Sequence, residues 1–182
     1  SHTSDAATTS TVLQSYDRWG NLTRVIDARG YQSDFEYNDQ NQLVKEIRPL
    51  AWVVAENGAG SWQRPVHFRY YDVQGRLVGT RDANGNLRQY AYDNVGQQVT
   101  VTDGMGNVTY HAYDVLGHQR MTQDGAGYIK WQEFDRGDRV VSIGDFLLNG
   151  TSRTRHVLQS YLLNQNGDRL TVTNALGQTA KY

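Results

Sequence analysis

Between Tyr71 and Phe134 six aspartates stand three residues ahead of a glycine, at Asp72/Gly75, Asp82/Gly85, Asp93/Gly96, Asp103/Gly106, Asp114/Gly117 and Asp124/Gly127. Carboxylates at regular spacing are the groups that hold calcium or act in pairs as general acid and base. The calcium patterns of this kind, Asp-x-Asp-x-Asp-Gly loops and Gly-Gly-x-Gly-x-Asp nonapeptides, are absent. A simpler chemistry fits the spacing. Asp at the first corner of a type I turn accepts hydrogen bonds from its own backbone two residues on, and Gly at the fourth corner takes up positive φ. The aspartates are therefore read as turn formers.

Other reactive side chains do not assemble into a motif. His67, His111, His118 and His156 are scattered, without a His-x-x-x-His pair, and the chain has no cysteine to serve as nucleophile or metal ligand. Ser142, Ser152 and Ser160 lack the Gly-x-Ser-x-Gly elbow. Gly104-Met105-Gly106 and Gly125-Ala126-Gly127 fall in turns rather than ahead of a helix, so they make no nucleotide loop. No catalytic residue, metal or cofactor is expected. Aromatic rings alternating with Arg and Asp can stack on sugars, which makes Tyr90, Tyr92, Tyr110 and Trp131 candidates for glycan stacking. The competing reading is packing within a sheet.

The elements that carry these residues repeat. Tyr71, Tyr92, Tyr113 and Phe134 mark a period of 21 (92 minus 71, 113 minus 92, 134 minus 113), and the turns divide each period into steps of 10 and 11. Each period is two strands and two turns, the turn being the hairpin connection with a left-handed glycine and a bulge. The same beat begins at Tyr16, Asp17 and Gly20, continues through Asp27 and Gly30, and passes Tyr37 with Asn38 and Asn41 in place of Asp and Gly. It breaks at Arg48, where PLAWVVAENGAGSWQRPVHFR carries both prolines and two of the four tryptophans. Asn57-Gly58 within it signals an inserted hairpin. After Phe134 the turn beginning at Asp135 (Asp135-Arg136-Gly137) reads as one residue short, and Asn149-Gly150 signals a second insertion. Asn164 to Gly167 and Asn174 to Gly177 restore the beat.

The expected organisation is a disordered lead-in or expression remnant over residues 1–11 and a repeat array over 12–182. Inserted hairpins are placed at about 48–69 and 144–156, with about fifteen strands in all. Tyr182 falls where Tyr90 stands in its own repeat, so the chain is read as a fragment of a longer array. Tyr92, Tyr113 and Phe134 share one face with Tyr90 and His111, while Leu87, Val108 and Ile129 lie opposite. Neither face is wholly apolar, which suits a thin sheet held by aromatic ladders. A net charge of −1, with 15 Arg and 3 Lys interleaved among carboxylates, gives no basic field for nucleic acid. No apolar run reaches the length of a membrane helix, and no signal-peptide pattern opens the chain.

The recurring Tyr-Asp-x-x-Gly at Tyr16, Tyr71, Tyr92 and Tyr113, with Asp-x-x-Gly as its half-repeat, resembles the YD-repeat or RHS-repeat family. That family includes bacterial Rhs polymorphic toxins, the shell components of insecticidal toxin complexes, wall-associated repeat proteins and teneurins. The resemblance implies an all-β fold, an antiparallel hairpin array forming a curved or spiralling sheet. It implies a structural module without catalysis, whose partners are the rest of its own shell and an enclosed cytotoxic C-terminal domain. The same likeness implies export or delivery to other cells as part of a larger protein. Open sheet edges would favour self-association. A carbohydrate-binding or adhesion module is the alternative.

Overall fold

The computed structural model describes residues 11–54, 58–149 and 152–182. The expected lead-in lies outside the described residues except for Thr11, as do Asn57 and Gly150 of the two hairpin signals. The fold is all-β: among the described residues there is no helix, and fifteen strands are built into antiparallel sheet with a further pair apart.

Two compact units divide the chain at Leu87/Arg88. The first holds β1 (Leu13–Tyr16), β2 (Leu22–Ile26), β3 (Gln32–Tyr37), β4 (Leu43–Ile47), β5 (Ala51–Val54), β6 (Gly60–Gln63), β7 (Val66–Tyr71) and β8 (Leu77–Arg81). Its sheet runs β1-β2-β3-β4-β7-β8, each strand antiparallel to the next. The second begins with β9 (Leu87–Tyr92) and continues through β10 (Gln98–Thr102), β11 (Val108–Tyr113), β12 (Gln119–Gln123), β13 (Ile129–Phe134), β14 (Val140–Asn149), β15 (Ser152–Leu163), β16 (Arg169–Asn174) and β17 (Thr179–Lys181). These nine also pair in sequence order. Segments such as QVTVT and VTYHAY are rich in β-branched and aromatic residues, which fit a pleated surface.

Most array hairpins are made by the same turn. In the turn at Asp93, the Asp93 amide donates to the Gln97 carbonyl at 2.9 Å and the Gly96 amide donates to the Asp93 carbonyl at 3.2 Å. Twelve turns of the described chain repeat this pair of bonds, and the fourth corner is left-handed in each. Glycine fills that corner except at Asn41 (φ 59°) and Asp138 (φ 61°). The turn after Phe134 is consequently not a residue short. It is the regular four-residue turn Asp135-Arg136-Gly137-Asp138, with the Asp138 amide on the Asp135 carbonyl at 3.2 Å. Asp tolerates the left-handed region better than most residues, so the glycine sits one corner early without altering the turn.

The two turns of a period differ in the register of the strands they join. Each tyrosine-marked turn opens onto a strand whose register shifts by one residue near its start: Tyr113 faces Gln119 and Ala112 faces Met121, leaving Arg120 over. Thr23, Val44, Val78, Val99, Val141 and Leu170 are left over in the same way. The half-repeat turns show no such shift.

The departure after Arg48 is the β5–β6 hairpin, a two-stranded sheet of its own. β4 pairs directly with β7, Glu46 facing His67, so the hairpin stands where a half-repeat turn would be. Tyr37 to Tyr71 is 34 residues (71 minus 37), which is one period of 21 plus 13. The second departure is a lengthening: β14 and β15 run for 10 and 12 residues and pair from Asn149↔Ser152 to Ser142↔Ser160. Burial is sparse throughout. Among the described apolar residues only Ile129 and Trp131, both on β13, are buried.

Candidate functional site

The turn is the unit from which a site can be built, because it is the feature every repeat shares. In each, one carboxylate or amide oxygen of the first residue accepts from the amides two and four residues on. For Asp72 these donors are Gln74 and Arg76, both at 2.9 Å; for Asn164 they are Asn166 and Asp168, also at 2.9 Å. Donors aimed at the ionised form lower a carboxyl's pKa. The Arg76 amide holds Asp72 below the usual carboxylate range, the Asn86 and Asn107 side chains do so for Asp82 and Asp103, and the Arg139 side chain for Asp135. At Asp17 and Asp114 burial pushes the carboxyl up, but bonds from Asn21 and His118 outweigh it.

At Asn21, Gln42, His118 and Arg139 the fifth residue of a tyrosine-marked turn, just after the glycine position, binds in two directions. Backward, it takes up the other side-chain oxygen of its own turn: Asn21 Nδ2 lies 2.9 Å from Asp17, Arg76 Nε 2.7 Å from Asp72, His118 Nδ1 3.1 Å from Asp114 and Arg139 Nε 2.8 Å from Asp135. Forward, it reaches the next tyrosine-marked turn. Asn21 donates to Asn41 Oδ1 at 2.8 Å, Gln42 to the Gly75 carbonyl at 2.7 Å, and Arg139 to the Asn164 carbonyl at 2.9 Å. His118 Nε2 lies 3.2 Å from Asp138 Oδ1, and the Gln97 amide lies against Gly117. These side chains staple successive turns into a ridge along each unit. The sequence carries the signal as a column, Asn21, Gln42, Arg76, Gln97, His118, Arg139, which only an overlay at the 21-residue period makes visible.

Beside the ridge, the tyrosine rings have a different duty from a stacked ladder. Tyr37, Tyr71 and Tyr113 donate their hydroxyls to the carbonyls of Leu22, Leu43 and Gln98 at 3.0, 3.1 and 2.8 Å. Each acceptor is the first residue of the adjacent strand in the sheet. Phe134 has no hydroxyl, and there Gln132 supplies the donor instead, its amide 2.7 Å from the Gln119 carbonyl. The Phe134 ring stacks on His118, centroids 4.5 Å apart. The hydroxyls of Tyr37, Tyr71 and Tyr113 thus tie their strands to the start of a neighbouring strand.

One polar cluster lay outside the sequence reading. Asp145 on β14 is 7% exposed. Tyr128 donates to its Oδ2 at 2.8 Å, His156 Nδ1 is 3.0 Å from Oδ1, and Trp131 Nε1 donates to its carbonyl at 2.9 Å. The Tyr128 hydroxyl holds the Asp145 carboxyl below its ordinary range and is itself pushed up in return. The cluster resembles the carboxylate–imidazole part of a catalytic site, but Ser142 is turned to the Gln159 carbonyl at 3.4 Å. Among the described residues no three His, Asp or Glu side chains are placed to hold a metal ion. The bonds join β13, β14 and β15, which is a structural duty.

The glycan candidates differ in exposure. Tyr90 and Tyr92 are half-buried, and Tyr110 is 49% exposed. Trp131 offers no open ring: it is 7% exposed, with the Arg155 guanidinium 3.6 Å above its centroid and Gly144 against the indole. Strand alternation places Trp131 on a face but does not show that Arg155, from a strand two away, covers it.

The family model described as RHS Repeat matches residues 16–51 and 71–107. No curated protein sequence matches the chain. Among solved structures, a crystal structure of TcdB2-TccC3-Cdc42 is similar at 15% identity and TM-score 0.49, over 90% of this chain and 11% of that one. The TcdB2-TccC3-TEV crystal structure gives 14% identity and TM-score 0.49 over 93% and 12%. A mutant Tc holotoxin pore from Photorhabdus luminescens gives 16% and 0.49 over 90% and 11%. The chain thus spans about a ninth of the structures it matches.

Proposed function

Because the chain carries RHS repeats, we propose that it is a segment of wall: part of a β-shell that encloses a cytotoxic C-terminal domain in an Rhs or toxin-complex type protein, with no catalysis of its own. The observation that carries this reading is the recurrent use of one turn. Twelve turns close their hairpins with the same backbone bonds, and the fifth-residue staples link turn to turn. An array of this kind extends by adding identical neighbours and leaves no strand unpaired along its length. At Asp145 the polar side chains are spent on holding strands together.

Protease protection tests the reading. In the polypeptide that carries this segment, the domain C-terminal to the shell is expected to resist digestion, and Asp93→Ala with Asp114→Ala is expected to expose it. A C-terminal domain that is digested equally fast in the unsubstituted protein excludes the enclosing role. Carbohydrate binding is the second reading, favoured by the exposed ring of Tyr110 alone. It predicts salt-resistant glycan binding that Tyr110→Ala abolishes.

A further inference from the structure

The β5–β6 hairpin is fixed at its base and bare beyond it. The Arg48 amide donates to the Pro65 carbonyl at 2.8 Å. Arg64 donates to the carbonyls of Arg48 at 3.1 Å and Gln32 at 2.9 Å, and pairs with Asp34 at 2.7 Å. Among the described residues of the hairpin Arg64 is the only charge, and that pair neutralises it. Farther out, Trp52 faces Trp62 and Val54 faces Gly60, so Trp52, Trp62 and Val54 share one side. The indoles meet edge to face, centroids 5.7 Å apart at 72°. Trp52 lies over Gly60 so closely that a Cβ there has no room. The glycine is a seat for the ring, yet Trp52, Val54 and Trp62 remain 56, 60 and 64% exposed, and Leu50 beside them 53%.

Two properties decide what fits this face. First, β5 and β6 form a sheet of their own, so each strand presents an open outer edge. Second, the apolar face amounts to a few hundred Å², roughly the size at which exposed patches mark binding sites. It falls short of the roughly 800 Å² per partner of a stable folded pair. We infer that the hairpin binds an extended apolar segment of another polypeptide, which adds to one edge as a third strand and lays alternate side chains on Trp52 and Trp62. Main-chain bonds at the edge supply affinity, and the ring pair selects apolar side chains. Among its described residues the hairpin leaves no unpaired charge to draw a charged strand. Binding here is independent of whether the chain walls a cargo.

The test is a titration of the chain with peptides of about ten residues, read by tryptophan fluorescence in a Trp19→Phe background. One peptide carries Val and Leu at alternate positions, a second carries Asp and Lys there, and a third is the first with N-methylated backbone. The apolar peptide is expected to saturate with a blue shift, and the other two to bind more weakly by about tenfold or more. Trp62→Ser is expected to weaken the apolar peptide by about tenfold. Gly60→Ala keeps both indoles but displaces Trp52, and is expected to weaken binding while altering the exciton couplet of the ring pair in circular dichroism. Failure of the apolar peptide to bind a chain whose couplet is intact overturns the inference. So does equal binding of the N-methylated peptide, or occupation of the hairpin by oligosaccharide, phosphatidylcholine vesicles or a second copy of the chain in sedimentation.

Discussion

At Gly85 a Cβ would meet nothing within 4 Å, yet φ is +88°. Gly85→Ala therefore isolates the backbone cost of a left-handed corner, and a loss of about 1–2 kcal/mol in urea unfolding is expected. Gly137 occupies the third corner of its turn, where φ is not positive, so its replacement by Ala is expected to cost clearly less than that at Gly85. Asp34 tests charge rather than conformation. Burial pushes its carboxyl up, but bonds from Arg24, Gln32 and Arg64 outweigh this and bring it down to about 2. A depressed carboxyl supports the fold when ionised. Its contribution is complete above about pH 4, the ordinary aspartate value, and is lost as pH falls through about 2. The difference in urea midpoint between the unsubstituted chain and Asp34→Asn is expected to shrink from pH 4 to pH 2; a constant difference refutes the assignment. The turn aspartates and glycines were legible in the sequence because their physics is local: a carboxylate bonding its own backbone and a residue without Cβ. Asp138 was missed because position, rather than residue type, makes the corner left-handed.

Strand and hairpin carry the next level. Tyr113→Phe leaves the Gln98 carbonyl without its donor, at a cost of about 1 kcal/mol. Gln132→Ala is expected to cost about as much, since Gln132 does for Gln119 what the tyrosine hydroxyl does elsewhere. The two routes are alternatives, so Phe134→Tyr is expected to restore part of that loss in the Gln132→Ala background and to add little alone. Equal effects of Phe134→Tyr in both backgrounds, measured by a double-mutant cycle, contradict the exchange of donors. Strands and their order were readable from the turn spacing. The tyrosine bonds, the Asp145 cluster and the Arg155 cover on Trp131 were not, because each joins residues 11 to 28 positions apart whose meeting depends on register. The staple column stood in the sequence all along, but its partner atoms lie on the next turn.

Across each unit, the sheet has turns, staples and ladder bonds in place of a dry interior: two buried apolar side chains, both on β13, are all that the described residues offer. Stability built this way is a sum of neighbouring terms, in which damage stays near its source. This is what a wall requires, since its length can grow without a core to fill. Hydrogen exchange on the unsubstituted chain and on Asp114→Ala tests this most directly. Removing the Asp114 carboxylate takes away the acceptor for the Leu116 and His118 amides. Protection is predicted to fall in β11 and β12, to a lesser degree in β10 and β13, and to persist in β15 to β17. A uniform loss of protection over residues 88–182 would show a single cooperative core and contradict the account.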